Sequence, residues 1–360
     1  MSRLLALLCL TPCLFVSAEL PALDWKQLPP IPDPEGFAAP FSGELDGQLI
    51  VAGGANFPDK KPWEGGSKVW YDDIFALDHP GGTWRKVGKL PGPLAYGVSI
   101  PTPEGLVCIG GSDASRHHSS VFRLRLKAER VQMTALPDLP QPCASASGAL
   151  IGRVIYVVGG VEKPDSVRAM NAVWSLDLDA LDRGWRVEPV CPGPGRMLAA
   201  AGAAEGSLYV FSGAALKAGA EGKPEREWLM DGYRLTPGRG WQKIADSPQI
   251  TVAAPCPMPA LNGNRLLLLG GDDGAQVNTT PADHRGFPKT IFAYDVHIDA
   301  WAPAGELPAG LVTTSAVIWR DLLVIPGGEI RPGTRSPQVW AAPIPSGQES
   351  STSSQRNGAP

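Results

Sequence analysis

Cysteine is scarce in this chain and badly spaced for metal. There are six in 360 residues. Cys9 and Cys13 fall in an apolar N-terminal stretch. Cys108, Cys143, Cys191 and Cys256 stand far apart, with no Cys-x-x-Cys pair. That spacing implies neither a zinc site nor a dense disulfide framework. Buried free thiols are the favoured reading, with one disulfide left open. A surplus of one charge is lacking as well: the formal net charge is −4, with acids and bases mixed throughout. No basic stripe offers a surface to nucleic acid or anionic lipid. After residue 18 no apolar run reaches the length of a membrane span. Gly-x-Ser-x-Gly and His-Glu-x-x-His do not occur. Asp272-Asp273-Gly274 lacks the alternating acids and closing Glu of an EF-hand loop. His117 and His118 are neighbours in an extended segment and so face opposite ways, which argues against shared metal ligation.

The first eighteen residues read as a secretory signal: Arg3 as the positive end, Leu4 to Val16 as the apolar stretch, Val16-Ser17-Ala18 as a small-residue cleavage site. The stretch is short for a membrane anchor. A secreted or periplasmic location is the expectation. Residues 346–360 are rich in Ser, Gln and Gly without apolar periodicity and read as a disordered tail.

Glycine and proline are abundant, 42 and 37 residues, and fall between short apolar runs. That mix fits many strands joined by turns. Six times an apolar run ends in two small residues: Ala52-Gly53-Gly54, Ile109-Gly110-Gly111, Val158-Gly159-Gly160, Phe211-Ser212-Gly213, Leu269-Gly270-Gly271 and Pro326-Gly327-Gly328. The pairs begin 57, 49, 53, 58 and 57 residues apart. A period near 50 with this signature is the kelch pattern. Before each pair lies a stretch of small residues, as at Ala144 to Ala149 and Ala199 to Ala204. After it come a polar loop, a third strand and a fourth strand. Trp84, Trp185, Trp241 and Trp301 open four of the fourth strands, and Val131 takes that place in the second repeat. Four strands per repeat make a propeller blade. The sixth repeat stops after its third strand, near Ile344, while an extra Trp strand, Asp24 to Pro29, stands at the other end. Residues 19–345 therefore read as one all-β domain, a six-bladed kelch-type β-propeller whose last blade is closed by the N-terminal strand. A two-sheet sandwich would not repeat at this period.

Loops that follow the small pairs should converge at one end of the channel, and a site is expected on them. Asn56, Lys68, Asp113, Arg116, Glu162, Arg168, Asp272, His284, Glu329 and Arg335 are among their polar residues. One loop stands apart. Gly328-Glu329-Ile330-Arg331-Pro332-Gly333-Thr334-Arg335 places a carboxylate directly after the Gly pair and a Pro-Gly turn three residues on. Such a turn folds Glu329 and Arg335 toward one pocket. A surface ion pair across a turn, worth little energetically, is the bland alternative.

This loop resembles the Gly-Glu-x-x-Pro-Gly-x-Arg motif of the N-acetylneuraminate epimerases, the sialic acid mutarotases. Phe41 to Phe57, Lys68 to Ile74 and Ala95 to Ile100 resemble further stretches of that family. The order of segments differs from the usual bacterial enzyme and is similar to a cyclically permuted branch, a change that a closed ring of blades tolerates. The resemblance implies an isomerase that interconverts the α and β anomers of a sialic acid through ring opening and reclosure. It implies Glu329 as the acid and base and Arg335 as the fork for the sugar's carboxylate. Asn56 and Lys68 are further substrate-binding candidates. No metal or organic cofactor is called for, and the expected partner is a small sugar acid, not nucleic acid or membrane. A kelch module that binds a protein or glycan and catalyses nothing is the alternative, because fold alone does not decide function.

Overall fold

The computed structural model describes residues 22–345 apart from 220–221. The expected signal segment, residues 1–18, and the expected tail, residues 346–360, lie outside the described residues. The structure is a six-bladed β-propeller of four-stranded antiparallel sheets. The first blade runs Phe41–Leu45, Gln48–Ala52, Asp73–Leu77 and Arg85–Lys89 from the channel outward.

Inner strands meet each other around the axis, and this is why they are built of small residues. A Cβ on Gly43 would lie 2.6 Å from Leu106 of the next blade, and one on Gly202 would lie 2.8 Å from Met258. The second strands run between sheets and are apolar almost throughout. All five residues of Ser207–Phe211 are buried, so this strand lacks the alternation of a half-wet sheet.

The sixth blade is closed as its missing strand required. Val317–Trp319, Leu322–Pro326 and Val339–Pro343 are completed by Lys26–Leu28. Lys26 pairs with Ala341 and Leu28 with Val339, antiparallel. Lys26–Leu28 thereby covers the edge that Val339–Pro343 would otherwise leave unpaired. Tryptophans lock successive blades. The indole N–H of Trp84 donates to the Pro29 carbonyl, that of Trp185 to Pro137 and that of Trp241 to Pro189, each at 2.8 Å. In each case the acceptor is a proline one or two residues beyond the outer strand of the preceding blade.

A second lock surrounds the channel. Ala39, Tyr96, Ser145, Leu198, Ala253 and Thr313 hold equivalent positions, and all six have φ between 51° and 62°. The N–H of each donates to the carbonyl of its counterpart in the preceding blade, from Tyr96 to Ala39 round to Thr313 to Ala253. Ala39 closes the circle by donating to Thr313 at 2.6 Å. A left-handed residue with a side chain costs on the order of 1 kcal/mol, and one backbone hydrogen bond returns about as much. The belt therefore holds six strained residues in register at the mouth of the channel.

The four cysteines among the described residues are free thiols, three of them buried. Burial alone pushes the Cys143 thiol up to about 12 and is the main reason Cys191 rises to about 11. Both are inert at neutral pH.

Candidate functional site

The residue after each small pair sits at the same place in every blade. Ala55, Ser112, Val161, Ala214, Asp272 and Glu329 each make a β-bridge to the residue just before the belt. Only two of the six carry a carboxyl group. Asp272 bonds the Gly274 N–H of its own loop at 2.9 Å, and burial pushes its carboxyl up. Glu329 instead faces a guanidinium.

Glu329–Arg331 and Thr334–Arg335 form a short hairpin in which Glu329 stands opposite Arg335. The turn depends on Gly333. Its φ is 75°, and a Cβ there would lie 2.6 Å from Pro62 of the first blade's loop. Glu329 Oε1 accepts from the Gly333 N–H at 2.6 Å and from Arg335 Nη1 at 3.2 Å. The Arg335 side chain is only 3% exposed and that of Glu329 16%. Arg335 also donates from Nε to the Ala55 carbonyl at 3.4 Å, and its guanidinium carbon lies 4.8 Å from the Phe57 ring centre. This is a half-enclosed ion pair built into a turn, unlike a solvated one.

The pair opens on a cleft of about 310 Å³ at the channel mouth. Phe57, Lys68, Tyr96, Met197, Arg226 and Thr313 are among the other residues that line it. Its floor is the belt: Tyr96, Ser145, Leu198 and Thr313 line both the cleft and the narrower channel space beneath. Cleft size suits a small organic ligand.

Three of the four residues proposed from sequence meet here: Glu329, Arg335 and Lys68. Asn56 does not. It is fully buried, and its amide is spent inside the protein. Nδ2 donates to Asp33 Oδ1 at 3.0 Å and to the Gly36 carbonyl at 2.9 Å, and Oδ1 accepts from the Tyr71 hydroxyl at 2.8 Å. Burial pushes both the Asp33 carboxyl and the Tyr71 phenol up. Asn56 is not among the residues that line the cleft: it ties the N-terminal turn at Asp33 and Gly36 to Tyr71. The two adjacent histidines also part company. His117 Nδ1 lies 2.9 Å from the Val161 carbonyl, and His118 Nε2 lies 2.8 Å from Asp113 Oδ2.

Sequence reasoning missed Arg226, Met197 and Thr313. Arg226 comes from a hairpin, Ala214–Ala218 with Pro224–Trp228, that rises from the fourth blade. Nothing in its spacing marks it. Tyr96 lies within the Ala95 to Ile100 resemblance, but its role at the floor follows from the belt.

Residues 15–133 match a family model described as N-acetylneuraminate epimerase. Over that segment the chain is similar to the N-acetylneuraminate epimerases. N-acetylneuraminate epimerase 1 of Escherichia coli O6:H1 is 37% identical over 98 residues, 25% of this chain and 26% of that protein. The N-acetylneuraminate epimerase of Salmonella arizonae is 42% identical over 101 residues, with the same shares. The matched part thus spans about a quarter of the length of these relatives, 26%. Phe57, Lys68 and Tyr96 lie inside the family match, while Glu329 and Arg335 lie beyond it. The solved structure of YjhT superposes with a TM-score of 0.63 at 18% identity, over 86% of this chain and 95% of that one. At that identity the likeness is one of fold.

Proposed function

We propose that this protein is a mutarotase that interconverts the α and β anomers of N-acetylneuraminate or a close relative. The observation that carries the reading is the Glu329–Arg335 pair, set opposite one another at the mouth of a cleft whose other wall comes from the epimerase-like segment. A permuted blade order is what would confine a linear match to residues 15–133 while the fold likeness extends over 86% of the chain.

The chemistry needs one group that takes and returns a proton. Glu329 takes the proton of the anomeric hydroxyl as the bond between C2 and the ring oxygen breaks. It gives that proton to the departing ring oxygen, which becomes a hydroxyl. The open-chain keto acid turns its C2 carbonyl and closes on the other face by the same transfers in reverse. No atom is gained or lost, and Glu329 ends as it began. The Gly333 N–H and Arg335 fix the carboxylate so that little reorganisation is needed at each transfer.

Glutamine at 329 is nearly isosteric but cannot exchange a proton at neutral pH. Glu329→Gln should bind the sugar as the wild type does while turnover falls by roughly two to four orders of magnitude. Turnover equal to wild type would move the proton transfer to another group.

A further inference from the structure

The cleft has a charge pattern that the Glu329–Arg335 pair does not use. Three cationic side chains, Lys68, Arg226 and Arg335, line it against a single carboxylate, Glu329. Arg335 is committed. Its guanidinium holds Glu329, donates to the Ala55 carbonyl, lies against Phe57 and is nearly sealed from solvent. An anion arriving there would compete with a carboxylate already in place.

Lys68 is held in another way. Its ammonium stands 5.1 Å from the ring centre of Tyr96, 5.4 Å from Trp70 and 5.9 Å from Phe57. Its polar partner is the Tyr96 hydroxyl, at 3.2 Å. Ring faces attract and fix a cation without neutralising it. Among the described residues, its neighbours are a phenol and ring faces, and no carboxylate pairs with it. The chain around it is fixed too: the next two residues, Val69–Trp70, pair in a short ladder with Ala55–Asn56. The result is an unspent positive charge, preset at the wall of a cleft whose other groups perform acid–base work.

We infer that Lys68, and not Arg335, receives the carboxylate of the substrate, and that Arg335 is a positioning residue for Glu329. This deepens the mutarotase reading and rests on it for the kind of sugar. It makes the cleft selective for sugar acids over neutral sugars. Anchored at Lys68, the acid group would leave the anomeric carbon, to which it is bonded, facing the Glu329 hairpin.

The test is a binding cycle that needs no turnover. Two probes are titrated by calorimetry: the methyl glycoside of N-acetylneuraminate, whose blocked anomeric oxygen cannot mutarotate, and the C1 methyl ester of that glycoside. The wild type should prefer the acid by about tenfold or more, the scale of a hydrogen bond to a charged group. In Lys68→Met, which keeps the stem among the rings, the preference should shrink to within about twofold, with ester affinity unchanged. Lys68→Arg should restore the preference, and Arg335→Lys should retain it. No preference in the wild type, no binding of either probe, or a preference that survives in Lys68→Met and vanishes in Arg335→Lys would overturn the assignment. Mutarotation rates are measured on the same proteins. A wild-type rate above the buffer blank beside a Lys68-independent preference sinks only the Lys68 assignment. A rate equal to the blank beside a Lys68-dependent preference sinks only the mutarotase reading.

Discussion

Glu329, Arg335, Lys68 and Asn56 show what a polar residue in a loop does and does not disclose. Glu329 and Arg335 stood out because a Pro-Gly turn lies between them, and turn chemistry is local. The hairpin that sets them opposite each other follows from those few residues. Asn56 occupies the same kind of loop, yet its amide is buried and satisfied. The difference lies in Asp33, Gly36 and Tyr71, distant neighbours that no local pattern names. Asn56→Ala should therefore act on stability and not on binding. It strips the Tyr71 hydroxyl and Asp33 of a buried partner, a loss of about 1–3 kcal/mol. In a chain of this size that should lower Tm by roughly 2–10 °C. Sugar affinity should stay within about twofold of wild type, because no hydrogen bond to the ligand is removed. A thermal melt beside a sugar titration checks both, and a normal Tm with lost binding would return Asn56 to the cleft.

Among the elements, the strand Lys26–Leu28 carries the most for its length. Its place was readable because a repeat was one strand short at one end and one strand long at the other. Its pairing with Val339–Pro343 supplies the outer edge of the sixth blade. Leu28 and Ile31 are buried in the core between the sixth and first blades, and Trp84 bonds Pro29. A chain beginning at Gly36 loses all of these. It should melt at least about 5 °C below a chain beginning at residue 19, since the buried apolar side chains alone amount to several kcal/mol. Equal melting temperatures would refute the closure. Other elements were not readable. The hairpin that carries Arg226 has no repeat counterpart with that length. The belt residues are Ala, Tyr, Ser, Leu, Ala and Thr, which share no chemical type. Their left-handed backbone is imposed by the ring of hydrogen bonds and not by preference.

For the whole molecule, a ring of six blades brings residues from far apart in sequence to one mouth. Lys68 and Tyr96 come from the first and second blades, Arg226 from the fourth and Glu329 from the sixth. The belt beneath them ties every blade to its neighbour, so the floor of the cleft is as fixed as the fold. We propose that this arrangement accelerates anomer exchange of a sialic acid. Proton NMR of freshly released α-N-acetylneuraminate, followed with and without the protein in the same buffer at the same pH, measures it most directly. The blank matters because mutarotation is itself base-sensitive. The α signal should decay to the equilibrium mixture faster with protein, in proportion to its concentration. Decay at the rate of the blank, whatever the protein concentration, would contradict it and leave a sugar- or protein-binding propeller in its place.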